Sequence, residues 1–212
     1  MTRVKVCGVR SKEDAQMCYR ESVDAIGFVY APGRKRSIPL SEIRYIISRL
    51  PLGVSSTLIT LDEDVNDVLE QASLTQPDTV QTYALGPKDI KRVKEHGYGV
   101  IRAVTVDADS GEPEIRGEEL SEVSRAADLV LFEPSANGRS GGLGLKFETF
   151  SGLSKLLPGC PRFGIAGGLD PDNVRDALEL APVMVDVSSG VESPDGNKDQ
   201  KLVRKFVRRC RQ

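Results

Sequence analysis

The segment VKVCGVRSKEDAQMCYR, residues 4–20, joins an apolar run to a polar stretch. Residues 4–9 are rich in valine, which is typical of a buried strand. Ser11-Lys12-Glu13-Asp14 resembles a capping box, with a hydroxyl three positions before a carboxylate, and predicts a helix that reaches about Arg20. The segment therefore predicts one strand followed by one helix.

The same strand and helix unit recurs along the whole chain. Further strands are predicted at residues 24–30, 54–61, 79–83, 98–104, 129–132, 162–166 and 184–187. Helices are predicted at residues 41–50, 64–72, 87–96, 118–126 and 147–156, after an N-cap at Asp170-Pro171, and at the carboxyl end. Several strands lack a polar face, as in parallel sheets covered by helices. Eight units favour an α/β fold, a compact (βα)8 TIM barrel, over an open doubly wound sheet.

Composition narrows the class of protein. The 212 residues are 39% apolar and 28% charged, and 29 lysines and arginines nearly balance 31 aspartates and glutamates. No composition break or linker divides the chain, so we expect one domain spanning residues 1–212. The balanced charge disfavours nucleic acid as a partner. Apolar stretches of strand length and the absence of a signal region after residues 1–5 predict a soluble cytoplasmic protein with no membrane partner.

The cysteines and the histidine restrict the chemistry. Cys7, Cys18, Cys160 and Cys210 are scattered without paired spacing, and His96 is the single histidine. This pattern disfavours a disulfide framework and a structural metal site. With one histidine, proton transfer is expected to rest on carboxylates or a thiol.

Three glycine-rich segments follow the last three predicted strands. The loops of a (βα)8 barrel that carry function lie at the carboxyl ends of its strands, and phosphate often binds after strands seven and eight. A single glycine segment is explained by a turn of the chain, but three at one end of a barrel favour a phosphate site built from backbone N–H groups. The candidate phosphate-binding residues are Gly142, Gly144, Gly167, Gly168, Ser188, Ser189 and Gly190.

Three ionisable residues occupy strand positions that face the same end of the barrel. Cys7 ends the first predicted strand, where a buried apolar role is the usual one, but Lys5 on the same face could lower the thiol pKa. Glu133 follows the apolar run 129–132 and is expected to end strand six, nearly opposite Cys7. Asp186 lies between two valines, where an unpaired charge is costly, so we expect it to pair with Lys5 or hold loop backbone.

A basic loop follows the second strand. Arg34, Lys35 and Arg36 most simply form a solvated surface run. An arginine that faces the barrel mouth could instead bind a substrate carboxylate through two parallel hydrogen bonds.

These segments together resemble the phosphoribosylanthranilate isomerase family of tryptophan biosynthesis. The resemblance runs from the first strand to the last helix and is most specific at VKVCG (4–8) and VDVSSGVE (185–192), with support from DAIGFV (24–29), GGLG (141–144) and GGL (167–169). It implies a (βα)8 barrel that converts N-(5′-phosphoribosyl)anthranilate to 1-(2-carboxyphenylamino)-1-deoxyribulose 5-phosphate by an Amadori rearrangement, without metal or cofactor. It also implies that Cys7 is the general base, that Arg36 contacts the substrate carboxylate and that the glycine loops bind phosphate.

The sequence departs from the family pattern in three places. Glu133 stands where the family pattern has an aspartate as the general acid, and Gln81-Thr82-Tyr83-Ala84 replaces Gln-Leu-His-Gly. Residues 55–60 replace Val-Gly-Val-Phe. Tyr83 is still able to stack on an anthranilate ring and donate a hydrogen bond, so we include it among the substrate-binding candidates with Arg36 and Asp186.

The departures leave two alternatives to the isomerase. One is a related (βα)8 enzyme that acts on a different phosphosugar, which the changes at Glu133 and Tyr83 would explain. The other is a non-catalytic protein that binds a phosphate ligand. The sequence leaves open whether the chain is a monomer or a homodimer.

Overall fold

The computed structural model describes residues 1–107, 109–136, 139–140 and 157–212. Its strands are β1 (Arg3–Cys7), β2 (Ala25–Tyr30), β3 (Ser55–Thr60), β4 (Thr79–Thr82), β5 (Gly99–Asp107), β6 (Leu129–Ala136), β7 (Arg139–Ser140), β8 (Phe163–Ile165) and β9 (Met184–Val187). Its α-helices are α1 (Lys12–Arg20), α2 (Leu40–Ile47), α3 (Val65–Thr75), α4 (Pro87–Glu95), α5 (Gly117–Ala126), α6 (Val174–Leu178) and α7 (Gln200–Arg211).

Eight of the described strands close into a parallel barrel. The ring order is β1, β2, β3, β4, β5, β6, β8, β9, and β9 pairs back to β1. The two-residue strand β7 lies outside this ring and pairs antiparallel with the end of β6. The predicted (βα)8 barrel is confirmed, and the predicted seventh and eighth strands are β8 and β9.

Alternation along each strand separates the outer core from the barrel interior. Val4 and Val6 of β1 point outward and belong to the large apolar cluster between strands and helices. Lys5, between them in sequence, belongs to the interior and is fully buried. A smaller apolar cluster lies in the interior, with members Ala25, Ile101, Leu129, Leu131, Ala166 and Met184. The interior also holds the buried polar side chains of Lys5, Gln81 and Asp186.

Two differences from the predicted boundaries bear on the site and its surrounding loops. β6 continues to Ala136, so Glu133 lies inside the strand instead of ending it, because β5 extends to Asp107 and pairs with β6 in register, with Thr105 opposite Glu133. The helix predicted after Asp170 begins only at Val174, and Asp170 instead accepts hydrogen bonds from the backbone of residues 172 and 173 in the preceding turn. The predicted helix 147–156 lies outside the described residues.

Helix length also bears on membranes. In the part of the chain that the structure describes, no helix combines the length and apolar character needed to cross a bilayer. The expected cytoplasmic location stays a prediction.

The terminal helix α7 offers a test of packing. Phe206 on its inner face is fully buried, whereas the neighbouring Lys205 is about half exposed and pairs with Asp172. Phe206→Ala should lower the free energy of unfolding by about 3–5 kcal/mol, because it removes a ring from a filled core. The control Lys205→Ala should cost less than about 1 kcal/mol. Urea unfolding followed by circular dichroism measures both, and equal losses would contradict the described packing of α7.

Candidate active site

A cavity of about 730 Å³ opens at the carboxyl ends of the barrel strands. It is larger than the two other described cavities, of about 290 and 320 Å³. Its lining includes most of the residues expected from the sequence: Cys7, Arg36, Tyr83, Glu133, Gly167, Gly168, Asp186, Ser188 and Ser189. The structure therefore brings the catalytic candidates and part of the phosphate candidates to one place.

Among the described residues, Gly190 is the phosphate candidate that does not line the cavity. Gly142 and Gly144 lie outside the described residues. Gly190 packs against the loop after β8, where a Cβ would collide with the backbone carbonyl of Leu169. Glycine at this position lets the two loops approach closely, which is a packing reason for its presence.

Lys5 and Asp186 form a buried ion pair at the bottom of the cavity. The two residues are register partners on β1 and β9, and Lys5 Nζ lies 2.6 Å from Asp186 Oδ2. The predicted pairing is thus confirmed. Burial alone lowers the pKa of Lys5, but the charge of Asp186, with smaller effects of Cys7 and Glu133, raises its pKa above the ordinary value. Lys5 is therefore held as a cation inside the barrel.

Cys7 lies two residues after Lys5 on the same face of β1 and lines the cavity. Burial raises the pKa of its thiol; Lys5 opposes this effect, while Asp186 and Glu133 add to it. The expectation that Lys5 lowers the thiol pKa was therefore wrong in its net direction. The reason is that burial outweighs the opposing charge of Lys5, and the charge of Asp186 adds to the effect of burial.

Glu133 and Tyr83 meet across the cavity. Tyr83 Oη donates a hydrogen bond of 2.8 Å to Glu133 Oε2. Burial raises the pKa of Glu133, and the hydrogen bond from Tyr83 opposes that effect in part. Burial and the neighbouring Glu133 charge raise the pKa of Tyr83 well above 10. The site thus shifts the Glu133 carboxyl toward its neutral form and keeps the Tyr83 phenol protonated.

Arg36 is held by a second ion-pair group. Its Nε and Nη2 donate to the two carboxylate oxygens of Glu192 at 2.6 and 2.9 Å, and Lys198 Nζ donates to the same carboxylate at 2.9 Å. Although partial burial works against ionisation, these hydrogen bonds lower the pKa of Glu192 to about 2. Arg36 is therefore fixed at the cavity wall and is not a freely solvated loop residue.

Sequence reasoning missed three residues of this site. Gln81 accepts a hydrogen bond from Lys5, and Glu192 with Lys198 orients Arg36. Gln81 has a sequence signal, because it lies two positions before Tyr83 on the same strand face. Glu192 lies in the VDVSSGVE segment, but its pairing with the loop after β2 depends on tertiary structure. Lys198 lies in a polar segment without any distinguishing signal.

The cavity lining also bears on metal binding. Over the residues described here, no three or more His, Cys, Asp or Glu side chains converge in a way that would hold a metal ion. The ionisable groups among the lining residues are one thiol, three carboxyl groups, a phenol and three basic side chains. This set is suited to proton transfer on a bound anionic molecule.

Comparison with known proteins identifies the family. The family model described as N-(5′-phosphoribosyl)anthranilate isomerase matches residues 4–209. The N-(5′-phosphoribosyl)anthranilate isomerase of Rubrobacter xylanophilus is 39% identical over 211 residues, covering 98% of each chain. The one of Methanocella arvoryzae is 35% identical over 216 residues, covering 100% of this chain and 99% of the relative.

Solved structures agree with the sequence matches. The phosphoribosyl anthranilate isomerase of Thermotoga maritima superposes with a TM-score of 0.82 at 29% identity, covering 100% of this chain and 99% of that chain. A phosphoribosyl anthranilate isomerase in complex with reduced 1-(o-carboxyphenylamino)-1-deoxyribulose 5-phosphate gives a TM-score of 0.79 at 28% identity, with the same coverage. The chain therefore belongs to the N-(5′-phosphoribosyl)anthranilate isomerase family, whose members are isomerases of tryptophan biosynthesis.

Proposed function

We propose that this chain performs the Amadori rearrangement of N-(5′-phosphoribosyl)anthranilate, with Cys7 as general base and Glu133 as general acid. The observation that carries the proposal is that both side chains line one cavity. They lie on β1 and β6, three strands apart around the ring through β9 and β8. Two proton-transfer groups can therefore act on a small substrate from different sides.

The chemistry requires both groups in opposite protonation states. Neutral Glu133 gives its proton to the ribose ring oxygen as the bond from that oxygen to C1 breaks, which yields an open-chain Schiff base. Thiolate Cys7 then removes the proton at C2, and the electron pair of that bond forms the enolamine that becomes the ketose. The substrate and product are isomers, so no electrons are gained or lost.

Substrate binding follows from the charges around the cavity. Gly167 and Gly168 have φ values of 84° and 67°, so the loop after β8 adopts a conformation that favours glycine and brings backbone N–H groups close to an anion. We assign the phosphate to this loop with Ser188 and Ser189, and the predicted contributions of Gly142, Gly144 and Gly190 stay predictions. Arg36, oriented by Glu192, is assigned to the anthranilate carboxylate.

Asp186 also has capacity left for substrate. Its Oδ2 is taken by Lys5, whereas its buried Oδ1 has no hydrogen-bond partner among the described residues. A buried acceptor without a partner is costly, and a substrate hydroxyl would satisfy it. Tyr83 was predicted to stack on the anthranilate ring, and its bond to Glu133 gives it a second role within the same cavity.

Coverage of the chain supports the remaining parts of the proposal. The family match over residues 4–209 favours one (βα)8 domain over residues 1–212 and favours the isomerase over a different phosphosugar enzyme or a non-catalytic ligand-binding protein. One solved relative is described as monomers generated from a dimeric isomerase of Thermotoga maritima, at 26% identity and a TM-score of 0.80. Either oligomeric state is thus compatible with this barrel.

The thiol is tested by Cys7→Ala. Turnover should fall by about 10²–10⁴-fold because the base is lost, while the product analogue still binds, since the anion contacts are unchanged. Loss of substrate fluorescence measures turnover, and calorimetry measures binding. The control Cys210→Ala removes a thiol from α7, far from the cavity, and should keep the rate. A wild-type rate in Cys7→Ala would remove the thiol from the mechanism.

The acid is tested by Glu133→Gln, which keeps the shape and removes the transferable proton. We expect kcat to fall by about 10²–10⁴-fold with little change in KM. Glu114→Gln is the matched control, because Glu114 lines the same cavity and the proposal gives it no proton-transfer role. If both substitutions have the same effect on the rate, Glu133 is not the specific acid.

The dependence of kcat/KM on pH follows from the directions in which the pKa values of Cys7 and Glu133 are shifted. The active form carries one proton, on Glu133 and not on Cys7, so kcat/KM falls when both are protonated and when both are ionised. Burial raises the pKa of Glu133 from 4.5 and that of Cys7 from 9.0. Because a carboxyl loses its proton before a thiol, the acid limb should lie above 4.5 and the alkaline limb above 9.0. Initial rates across pH measure both limbs, and a limb below its ordinary value contradicts the assignment.

A further inference from the structure

A chain of polar side chains links β1, β4 and β6 across the cavity. Lys5 Nζ donates to Gln81 Oε1 at 2.9 Å, Gln81 Nε2 donates to Tyr83 Oη at 3.4 Å, and Tyr83 Oη donates to Glu133 Oε2 at 2.8 Å. Lys5 and Gln81 are buried, and Tyr83 and Glu133 border the cavity. The chain therefore joins the interior cation to the proposed general acid.

The direction of this chain follows from its first member. An ammonium group has donors only, so Gln81 must turn its carbonyl oxygen to Lys5 and its NH2 group to Tyr83. An NH2 group has donors only as well, so the phenol oxygen of Tyr83 accepts from Gln81. The single phenol hydrogen then points to Glu133 Oε2. The orientation of each group thus determines which atom of the next group donates and which accepts.

We propose that Gln81 and Tyr83 are positioning residues that hold Glu133 Oε2 as an acceptor, so that the proton delivered to the substrate is carried by Oε1. The proposal rests on the proposed function, in which Glu133 is the general acid. A proton on Oε2 that pointed at Tyr83 would face the phenol hydrogen and exclude the hydrogen bond between the two residues. A proton on Oε1 leaves every hydrogen bond of the chain intact. Oε1 has no hydrogen-bond partner in the described ranges of the chain, so it is available to the cavity.

Other charged groups also act on Glu133 and must be considered in any titration. Asp186 on β9 raises the pKa of Glu133, whereas Lys5 on β1 and Arg36 after β2 lower it. Cys7 faces the same carboxyl, and Glu114 lines the cavity beyond it. In the described structure Tyr83 is the group that hydrogen-bonds the carboxyl directly, so its removal isolates the effect of the chain. Substitutions at Tyr83 and Gln81 leave these other groups in place.

Tyr83→Phe tests the last bond of the chain. It removes the donor that stabilises the ionised carboxyl, so the pKa of Glu133 should rise by about one unit. Carbon NMR of protein with labelled glutamate carboxyl groups measures this titration directly, and Glu133→Gln assigns the signal. The acid limb of kcat/KM should move by the same amount, with KM within about twofold of wild type. An unchanged titration in folded Tyr83→Phe overturns the proposal, and circular dichroism checks the folding.

Gln81→Glu tests the direction of the chain. A carboxylate presents an acceptor to Tyr83, so the phenol hydrogen is shared between two carboxylates and the pKa of Glu133 should rise although Tyr83 is present. The added charge could act through space, so the same substitution is made in the Tyr83→Phe background. A shift less than half as large in that background supports action through Tyr83. An equal shift in both backgrounds overturns the role of Gln81.

The titration and the turnover separate the two proposals. Full turnover in Glu133→Gln would overturn both the proposed function and the inference drawn from it. An inactive Glu133→Gln together with an unchanged titration in Tyr83→Phe would overturn the inference alone. A moved titration with an inactive Glu133→Gln supports both.

Discussion

The buried charge of Lys5 determines the arrangement of the barrel mouth. A fully buried ammonium requires a counterion and further hydrogen-bond acceptors, because removing one partner of a buried pair costs about 3–5 kcal/mol. Asp186 meets the first need from the neighbouring strand, and Gln81 meets the second from β4 across the interior. Two strands that are not neighbours of each other are thus tied to β1 at one level of the barrel. Gln81 in turn donates to Tyr83, and Tyr83 donates to Glu133.

The same pairing explains the electrostatics of the two proposed catalytic groups. Lys5 lowers the pKa of Cys7 and Asp186 raises it, but burial is the largest effect and raises the pKa of Cys7, as it raises that of Glu133. Burial therefore shifts both groups toward their neutral forms. The form with a thiolate and a neutral carboxyl is one of two ways to place a single proton on the pair. In the proposed mechanism the molecules that react are those with the proton on Glu133. A neighbouring group that changes the pKa of Glu133 therefore changes the fraction of molecules in that form.

Parts of this site could be predicted from sequence because burial makes certain residues conspicuous. An aspartate between valines at 185–187 and a lysine between valines at 4–6 predict a pair, and the repeat of strands and helices predicts the ring that joins them. The place of Glu133 inside β6 could not be predicted, because the length of β6 depends on its pairing with β5. The bonds from Glu192 to Arg36 and Lys198 join segments far apart in sequence, and no local pattern encodes them.

The departures from the family pattern at Glu133 and Tyr83 are explained together by their contact. A glutamate has one more rotatable bond than the aspartate of that pattern, and its carboxyl group reaches about 1 Å further, a displacement able to change a rate about 100-fold. β4 and β6 are separated by β5, so a residue directly after β4 needs a long, rigid side chain to reach Glu133. Tyr83 has that length and places a donor 2.8 Å from Oε2. The hydrogen bond from the phenol therefore restricts the freedom that the extra methylene adds to the glutamate side chain.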